Sequence, residues 1–214
     1  SPSAGKNFAT WQPLINPLRG GEAVTLSEGN LRSGGGASAE GAAYASVVSN
    51  FRLPDTEKWF WEVYAEAPAT AATSRTTIGI INEACLNSTE AAQAHYASGA
   101  GKFYGYNGSG TTGENDSNLD SYGDSYAAGD IIGVAFNADD NQLSFYKNGV
   151  SQGVIPVEDT LDASTGFYPC IGYFGAFILN AGQDGTFAGN HSGTLVTGGN
   201  GEWAYAPPTG YLAL

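Results

Sequence analysis

Residues 127–154 read "AAGDIIGVAFNADDNQLSFYKNGVSQGV", and this stretch sets the fold. "DIIGVAFNA" at 130–138 is a strand whose alternation points Ile132, Val134 and Phe136 to one face. "DDNQ" turns the chain, and "LSFYK" and "VSQGV" then flank Asn148-Gly149. Asn-Gly between alternating segments predicts a two-residue hairpin, because both residues tolerate positive φ. The stretch therefore predicts consecutive antiparallel strands.

The hairpin is interpreted as scaffold and not as a binding site. Its alternation turns Leu143 and Phe145 toward the core and leaves Lys147 solvated beside the turn. Its use is diagnostic, since the motif fixes the class of fold.

Upstream, "WFWEVYAE" at 59–66 alternates with bulk on both faces. A strand of this kind is central in a sheet and covered, at least partly, on both sides. One face carries Trp59, Trp61, Val63 and Ala65, and the other carries Phe60, Glu62, Tyr64 and Glu66.

Strand-like and turn-like segments fill the rest of the chain. Residues 1–54 are expected to form an arm with the first strands, including one near Val24–Leu26, packed on a core of residues 55–214. The only helical patch lies at 82–102, where Asn87 or Ser88 would cap one or two turns, and 109–125 reads as a loop. Further strands are predicted at 76–81, at 102–108 and as a pair within 167–183. The class is all-β, an antiparallel two-sheet β-sandwich with little helix, in one structural domain overall.

Charge narrows the range of partners. The 214 residues carry 21 acidic and 8 basic side chains, a net charge of −13. Nucleic acids and anionic membranes attract clustered Lys and Arg, so neither partner is expected. Neutral partners, basic partners or cations suit the chain better. No apolar run of 18 residues predicts a membrane span.

The two cysteines leave two readings open. Cys85 and Cys170 lack zinc-site spacing and have only His95 and His191 to join them. They either form a disulfide in an oxidising compartment or serve as small buried apolar residues. No signal peptide is recognised, and the absence of Met at position 1 suggests a processed chain or an excised fragment.

The motifs together resemble the SPRY domain. The resemblance rests on "KWFWEVYAE", "TIGII", residues 127–154, "GFYPCIGYFG", "ILNAGQ" and "YAPPTGYLAL", in that order over about residues 55–214. The chain departs from the family pattern at Ala181, where Phe is usual. The resemblance implies a bent, concanavalin-like sandwich that binds through loops at one edge and is not an enzyme.

A second resemblance concerns context. "GKNFATWQPL", "LSEGNL" and "GQDGTFAGN" resemble SPRY-containing virion proteins of tailed bacteriophages. It implies a tail-fibre-like protein on the virion surface that recognises a host-surface glycan or protein receptor, with a homotrimer in the full-length protein. The alternative is a structural or decoration module that binds other virion proteins.

The candidate binding surface is a polar loop flanked by tyrosines. Tyrosine with Asn and Asp suits sugars, and it also suits protein partners because Tyr offers a large contact area at low entropic cost. The alternative interpretation places these tyrosines in the strand core and at the sandwich edge. The residues are Tyr104, Tyr106, Asn107, Asn115, Asp116, Asn118, Asp120, Tyr122 and Tyr126.

Two further sites are weaker candidates. Asp116, Asn118 and Asp120 stand at alternate positions as Ca²⁺ ligands do, with Asp124 four residues further on, but the spacing is not that of an EF-hand loop. No other cofactor is expected. Glu62 and Glu66 share a strand face, as paired carboxylates of concanavalin-like glycoside hydrolases do. Tyr64 stands between them, and positions i and i+4 of a strand lie about 13 Å apart. A structural or solvent-facing role is therefore favoured for this pair over catalysis.

Overall fold

Two antiparallel sheets pack face to face and form the body of the protein. The computed structural model describes residues 7–13, 24–34, 46–68, 76–86, 102–114, 120–158, 166–172 and 175–214. Within these ranges the structure is nearly all β, with one four-residue helix, α1 (Glu83–Leu86). The predicted all-β sandwich is confirmed.

The first sheet contains eight strands and runs across the centre of the molecule. In spatial order they are β1 (Thr25–Ser27), β2 (Arg32–Gly34), β12 (Gly175–Asn180), β4 (Lys58–Pro68), β8 (Ile131–Asn137), β9 (Gln142–Lys147) and β10 (Val150–Pro156). The eighth, β15 (Leu212–Ala213), pairs in parallel with the start of β4.

The second sheet has five strands, and a short ribbon stands apart from both. The five are β3 (Ser46–Val48), β11 (Phe167–Gly172), β5 (Thr77–Asn82), β6 (Phe103–Asn107) and β7 (Thr112–Glu114). The ribbon is β13 (Val196–Gly198) with β14 (Gly201–Trp203).

The core lies between the two sheets. Alternation along β4 turns Trp61, Val63 and Ala65 inward, where they are fully buried. They meet Ile78 and Ile80 of β5 in one continuous hydrophobic cluster. The N-terminal residues contribute to it as well, because Ala9 and Trp11 are buried there.

The outer face of the first sheet is also covered. Phe60 of β4 packs edge to face against Trp203 with ring centroids 5.0 Å apart, and Tyr64 lies 5.7 Å from Phe187. The covering residues come from the C-terminal part of the chain. The prediction that β4 is covered on both faces is therefore confirmed.

The Asn148-Gly149 hairpin is confirmed. Both residues have positive φ, 49° and 79°, and they join β9 directly to β10. Asn148 is suited to this position by its side chain as well, because its Oδ1 accepts from the Ile131 N–H and its Nδ2 donates to Asp130. The prediction that Lys147 is solvated is wrong. Its ammonium donates to the Ser125 carbonyl and lies 3.6 Å from the Asp130 carboxylate, leaving the side chain 23% exposed.

One local prediction needs correction. The segment 109–125 is not all loop, because β7 pairs with the otherwise open edge of β6. Helix α1 lies within the predicted helical patch 82–102, but the predicted caps Asn87 and Ser88 and the turns after them lie outside the described residues.

Ala181 and Cys170, which the sequence analysis singles out, both lie in apolar surroundings. Ala181, the departure from the family pattern, is fully buried in the main core, and Phe8 packs against the same cluster. Cys170 is buried among Val48, Ile81 and Phe103, as the small apolar reading requires. The side chain of Cys85 lies outside the described residues, so a disulfide with it stays a prediction.

Candidate functional site

The polar loop folds back on itself and lies beside the β9–β10 hairpin. Its two described arms are joined by backbone hydrogen bonds, from Tyr122 to the Gly110 carbonyl at 3.0 Å and from Thr112 to the Asp120 carbonyl at 2.9 Å. Gly110 has a φ of +85°, and a Cβ there would lie 2.4 Å from the Gly123 carbonyl oxygen. The close approach of the two arms therefore requires glycine at this position.

The predicted site residues divide into three groups. Tyr104, Tyr106, Asn107 and Tyr126 are buried, so their side chains support the surface from below and do not present themselves to a ligand. This burial is a correction to the interpretation of the four as contact residues. Asp120 is exposed and Tyr122 is half-buried. Asn115, Asp116 and Asn118 lie outside the described residues.

Tyrosine hydroxyls tie the loop to the two sheets. The Tyr126 hydroxyl donates to the Thr76 carbonyl at 2.8 Å, and the Tyr106 hydroxyl donates to the Asp124 carbonyl. The Tyr122 hydroxyl donates to the Gly153 carbonyl at 2.6 Å and accepts from the Phe145 N–H. Each of these bonds joins the loop to a strand or to the residue beside one, so the loop is fixed at several points.

Burial keeps these hydroxyls protonated. It raises the pKa of Tyr122 to about 12, and it also raises the pKa values of Tyr106 and Tyr126 above the usual value of tyrosine. The three side chains therefore remain neutral donors throughout the physiological pH range.

The loop is hydrogen-bonded to a β-bulge in β10. The register shifts between Ser151 and Gly153, which leaves Gln152 as the extra residue. The Gln152 Oε1 accepts from the Asp124 N–H at 2.8 Å, and its Nε2 donates to the Val150 carbonyl. Sequence reasoning missed Gln152, although Gly153 inside a strand pattern is a signal for a bulge.

The loop and the hairpin expose both apolar and acidic side chains. Among the described residues, the exposed large hydrophobic side chains are Phe51, Val150 and Val154, and the two valines are 65% and 56% exposed on β10. Val150 pairs with Lys147 and Val154 pairs with Ser144, so the bulge turns the two valines to opposite faces of the sheet. The neighbouring loop exposes Asp120 and Asp124. Residues 120–126 and 150–156 are called the loop–hairpin edge below.

The calcium prediction stays a prediction. Asp116 and Asn118 lie outside the described residues, and Asp120 and Asp124 are exposed. The described part of the chain contains no group of three or more His, Cys, Asp or Glu side chains that could hold a metal ion.

The two glutamates of β4 occupy different environments. Glu62 is fully buried, and its carboxylate accepts from the N–H groups of Ala204 and Tyr205 at 3.0 and 2.9 Å and from Asn180 Nδ2 at 3.1 Å. Burial raises its pKa to about 7, against the lowering effect of these bonds. Glu66 is bound by Arg32 at 2.7 Å. Of the structural or solvent-facing roles predicted for this pair, Glu62 has the structural one, and its burial opposes the hydrolase alternative.

Comparisons with known proteins agree on the fold. A family model described as "SPRY domain" matches residues 58–184. The structure resembles the SPRY domain of human HERC1, with a TM-score of 0.56 at 16% identity over 79% of this chain and 96% of that one. It also resembles a human SPRY domain, with a TM-score of 0.53 at 15% identity over 75% of this chain and 96% of that one.

A third similar structure is a much longer chain. The stonustoxin structure has a TM-score of 0.54 at 14% identity, over 81% of this chain and 27% of that one. At these identities the likeness shows the fold alone. A search of curated proteins gave no match. None of the described helices is long and apolar enough to cross a membrane.

Proposed function

The chain belongs to the SPRY domain family, and from this premise we propose that it is a non-enzymatic module whose binding surface is the loop–hairpin edge. SPRY domains are generally non-catalytic modules for protein–protein interaction. The observation that carries the choice of surface is the fixed yet accessible loop. Its tyrosine hydroxyls and Gln152 are bonded inward, while Val150, Val154, Asp120 and Asp124 remain exposed.

A fixed loop favours binding for a thermodynamic reason. Ordering a mobile segment on association costs conformational entropy, and a loop that is already ordered avoids that cost. The bonds from Tyr106, Tyr122 and Tyr126 fix the loop before any partner arrives. The exposed side chains beside it can then contribute their contacts without that loss.

We further propose the biological setting on the basis of the sequence resemblance. The module is part of a bacteriophage virion protein, tail-fibre-like and displayed on the particle surface, and it contacts a host-surface glycan or protein receptor. A homotrimer of the full-length protein fits such a fibre. The second candidate is a structural or decoration module that binds other virion proteins, and the exposed valines favour it because exposed apolar side chains can be buried in a contact between proteins.

Matched surface variants separate these candidates. Asp124→Asn with Val154→Ser alters the loop–hairpin edge, and Glu28→Gln alters an exposed acidic residue in the β1–β2 turn at the opposite edge of the sheet. On an array of bacterial surface glycans and on purified virion proteins, we expect the first variant alone to lose saturable binding. Equal binding by both variants would show that another surface makes the contact.

A further inference from the structure

We propose that the Asn200-Gly201 dipeptide is a site of spontaneous covalent modification, at which the asparagine is converted to aspartate and isoaspartate. The sequence contains two more Asn-Gly pairs, Asn107-Gly108 and Asn148-Gly149. The structure holds the three pairs in different environments, and the differences single out Asn200. The inference concerns the β13–β14 ribbon and does not depend on the proposed binding surface.

The reaction needs water as its only co-reactant. The backbone nitrogen of the glycine attacks the side-chain amide carbon of the asparagine, and the new C–N bond closes a succinimide ring. The amide nitrogen leaves as ammonia, with the proton that the glycine nitrogen gives up. Water then opens the ring at either carbonyl and yields aspartate or isoaspartate, which has one more methylene in the main chain. Glycine favours the attack because it has no Cβ to obstruct the approach.

Two of the three asparagine amides are held in place by hydrogen bonds. Asn107 is fully buried, and its amide is bonded to two threonine hydroxyls at 2.5 and 3.1 Å. The attacking group of that pair, the Gly108 N–H, donates to a backbone carbonyl at 2.9 Å. Asn148 is half-buried, and its amide is bonded to the Ile131 N–H at 2.9 Å and to Asp130 at 2.7 Å. At both residues these bonds must break before the ring can close.

Asn200 differs in being exposed in the turn between β13 and β14. Gly199 and Asn200 have φ values of +52° and +68°, as the two central residues of a type I′ hairpin turn do. The side chain of Asn200 is therefore in contact with the water into which ammonia leaves and from which the ring is opened.

Packing around the turn requires glycine directly after Asn200. A Cβ at Gly201 would lie 2.5 Å from the Trp203 ring and 2.8 Å from the Gly182 Cα. A larger residue would have to displace the ring or the backbone. The close packing therefore maintains the glycine that makes the preceding asparagine reactive.

An isoaspartate at position 200 would lengthen the turn that supports the C-terminal part of the chain. The Gly199 carbonyl accepts from the Ala213 N–H at 2.6 Å, and the Glu202 N–H donates to the Gly182 carbonyl at 2.9 Å. One extra main-chain methylene displaces these groups, whereas aspartate adds a charge and leaves the main chain unchanged. Isoaspartate is therefore the product that loosens the ribbon.

Peptide mapping of aged protein by mass spectrometry tests the inference. The full chain is incubated in mildly alkaline buffer, once folded and once in urea, and conversion is measured at all three asparagines. In the folded protein we expect Asn200 to convert about tenfold faster than Asn107 and Asn148, because these two must first break their bonds. In urea the three rates should converge, because the environments no longer differ.

Two outcomes would overturn the assignment. Conversion of Asn107 or Asn148 as fast as that of Asn200 in the folded protein would show that the site is wrong. An equally large preference for Asn200 in urea would show that its sequence neighbours, and not the fold, set the rate.

Hydrogen exchange tests the consequence for the ribbon. In protein enriched in isoaspartate, the amides of Glu202 and Ala213 should exchange about tenfold faster than in fresh protein. Asn200→Asp, which adds only the charge, should leave both amides at the wild-type rate. Unchanged exchange in the isoaspartate form would contradict the claim that the length of the turn holds these bonds.

Discussion

Two segments lie against the eight-stranded sheet, and side-chain groups of opposite hydrogen-bonding character hold them in place. The C-terminal segment at 201–205 is held by the Glu62 carboxylate, which accepts from backbone N–H groups beneath a fully covered face. The loop at 120–126 is held by tyrosine hydroxyls that donate to backbone carbonyls at a half-covered edge.

The difference is one of charge. Burial of a carboxylate costs free energy unless several hydrogen-bond donors satisfy it. The Glu62 carboxylate is buried where three such donors surround it. A neutral hydroxyl has a smaller desolvation cost and tolerates a partly open site. The segment bound by Glu62 covers its face of the sheet. The loop bound by the tyrosine hydroxyls leaves neighbouring side chains exposed, where a partner can contact them.

The largest expected effect is on the closed side. Glu62→Ala removes the acceptor of three hydrogen bonds and leaves the buried N–H groups of Ala204 and Tyr205 without it. We expect the free energy of unfolding to fall by about 3–5 kcal/mol. Urea denaturation at pH 7 measures this, and a loss below about 1 kcal/mol would show that the carboxylate does not fasten the segment.

The second largest expected effect is the pH dependence of the free energy of unfolding, which we also assign to Glu62. Because burial raises the pKa of Glu62 from 4.5 to about 7, the folded state binds this proton more tightly than the unfolded state. The stabilisation from proton binding is therefore full below about pH 4.5 and is lost as pH rises toward 7.

The expected decline is about 3 kcal/mol, at 1.36 kcal/mol per unit. The wild type should show this decline in urea titrations across that range, and Glu62→Gln, which cannot ionise, should lack it. Parallel pH profiles of the two proteins would contradict the assignment to Glu62.

The strands and turns of the scaffold could be predicted from the sequence because local residue patterns determine them. The alternation of 59–66 and the Asn148-Gly149 turn are short-range signals, and both appear in the structure. The role of Glu62 could not be predicted, because its main partners are backbone groups 142 and 143 residues away. Nearly every residue carries a backbone N–H, so the sequence of side chains does not show which of these groups will bind a distant carboxylate.

The candidate site was only partly predictable for a related reason. The sequence predicts Tyr104 and Tyr106 as contact residues, yet every residue of β6 is buried in the structure. Tyr104 and Tyr106 are consequently supports and not contacts. The valines of β10 were overlooked because the hairpin was read as scaffold throughout.

Removal of a hydroxyl that holds the loop should have a smaller effect than removal of the Glu62 carboxylate. Tyr126→Phe deletes the donor to the Thr76 carbonyl without changing the ring. We expect a loss of about 1–1.5 kcal/mol in unfolding free energy, well below that of Glu62→Ala. Hydrogen exchange should show faster opening at Gly110 and Tyr122 than in the wild type. If Tyr126→Phe lowered the free energy of unfolding as much as Glu62→Ala, the proposed difference between the carboxylate and the tyrosine hydroxyls would be wrong.

The hairpin turn touches both regions and should respond modestly. Gly149 has a φ of +79°, and a Cβ at this position would lie 2.8 Å from the Tyr205 ring of the C-terminal segment. Gly149→Ala should therefore lower the unfolding free energy by about 1 kcal/mol through backbone strain and contact with that ring. Gly129→Ala is a matched control, because Gly129 also has positive φ but has open space around it. Equal losses in the two variants would show that the contact with Tyr205 contributes nothing.

Solvent paramagnetic relaxation measured by NMR most directly tests the claim that the edge is open and the C-terminal segment closed. The ¹⁵N-labelled protein is titrated with a neutral soluble paramagnetic agent, which broadens the amide signals that it can approach. Broadening should concentrate at the exposed residues of 120–126 and 150–156 and should be much weaker at the amides of Ala204 and Tyr205, which the Glu62 carboxylate binds. Broadening at Ala204 and Tyr205 as strong as that at 120–126 would contradict the account.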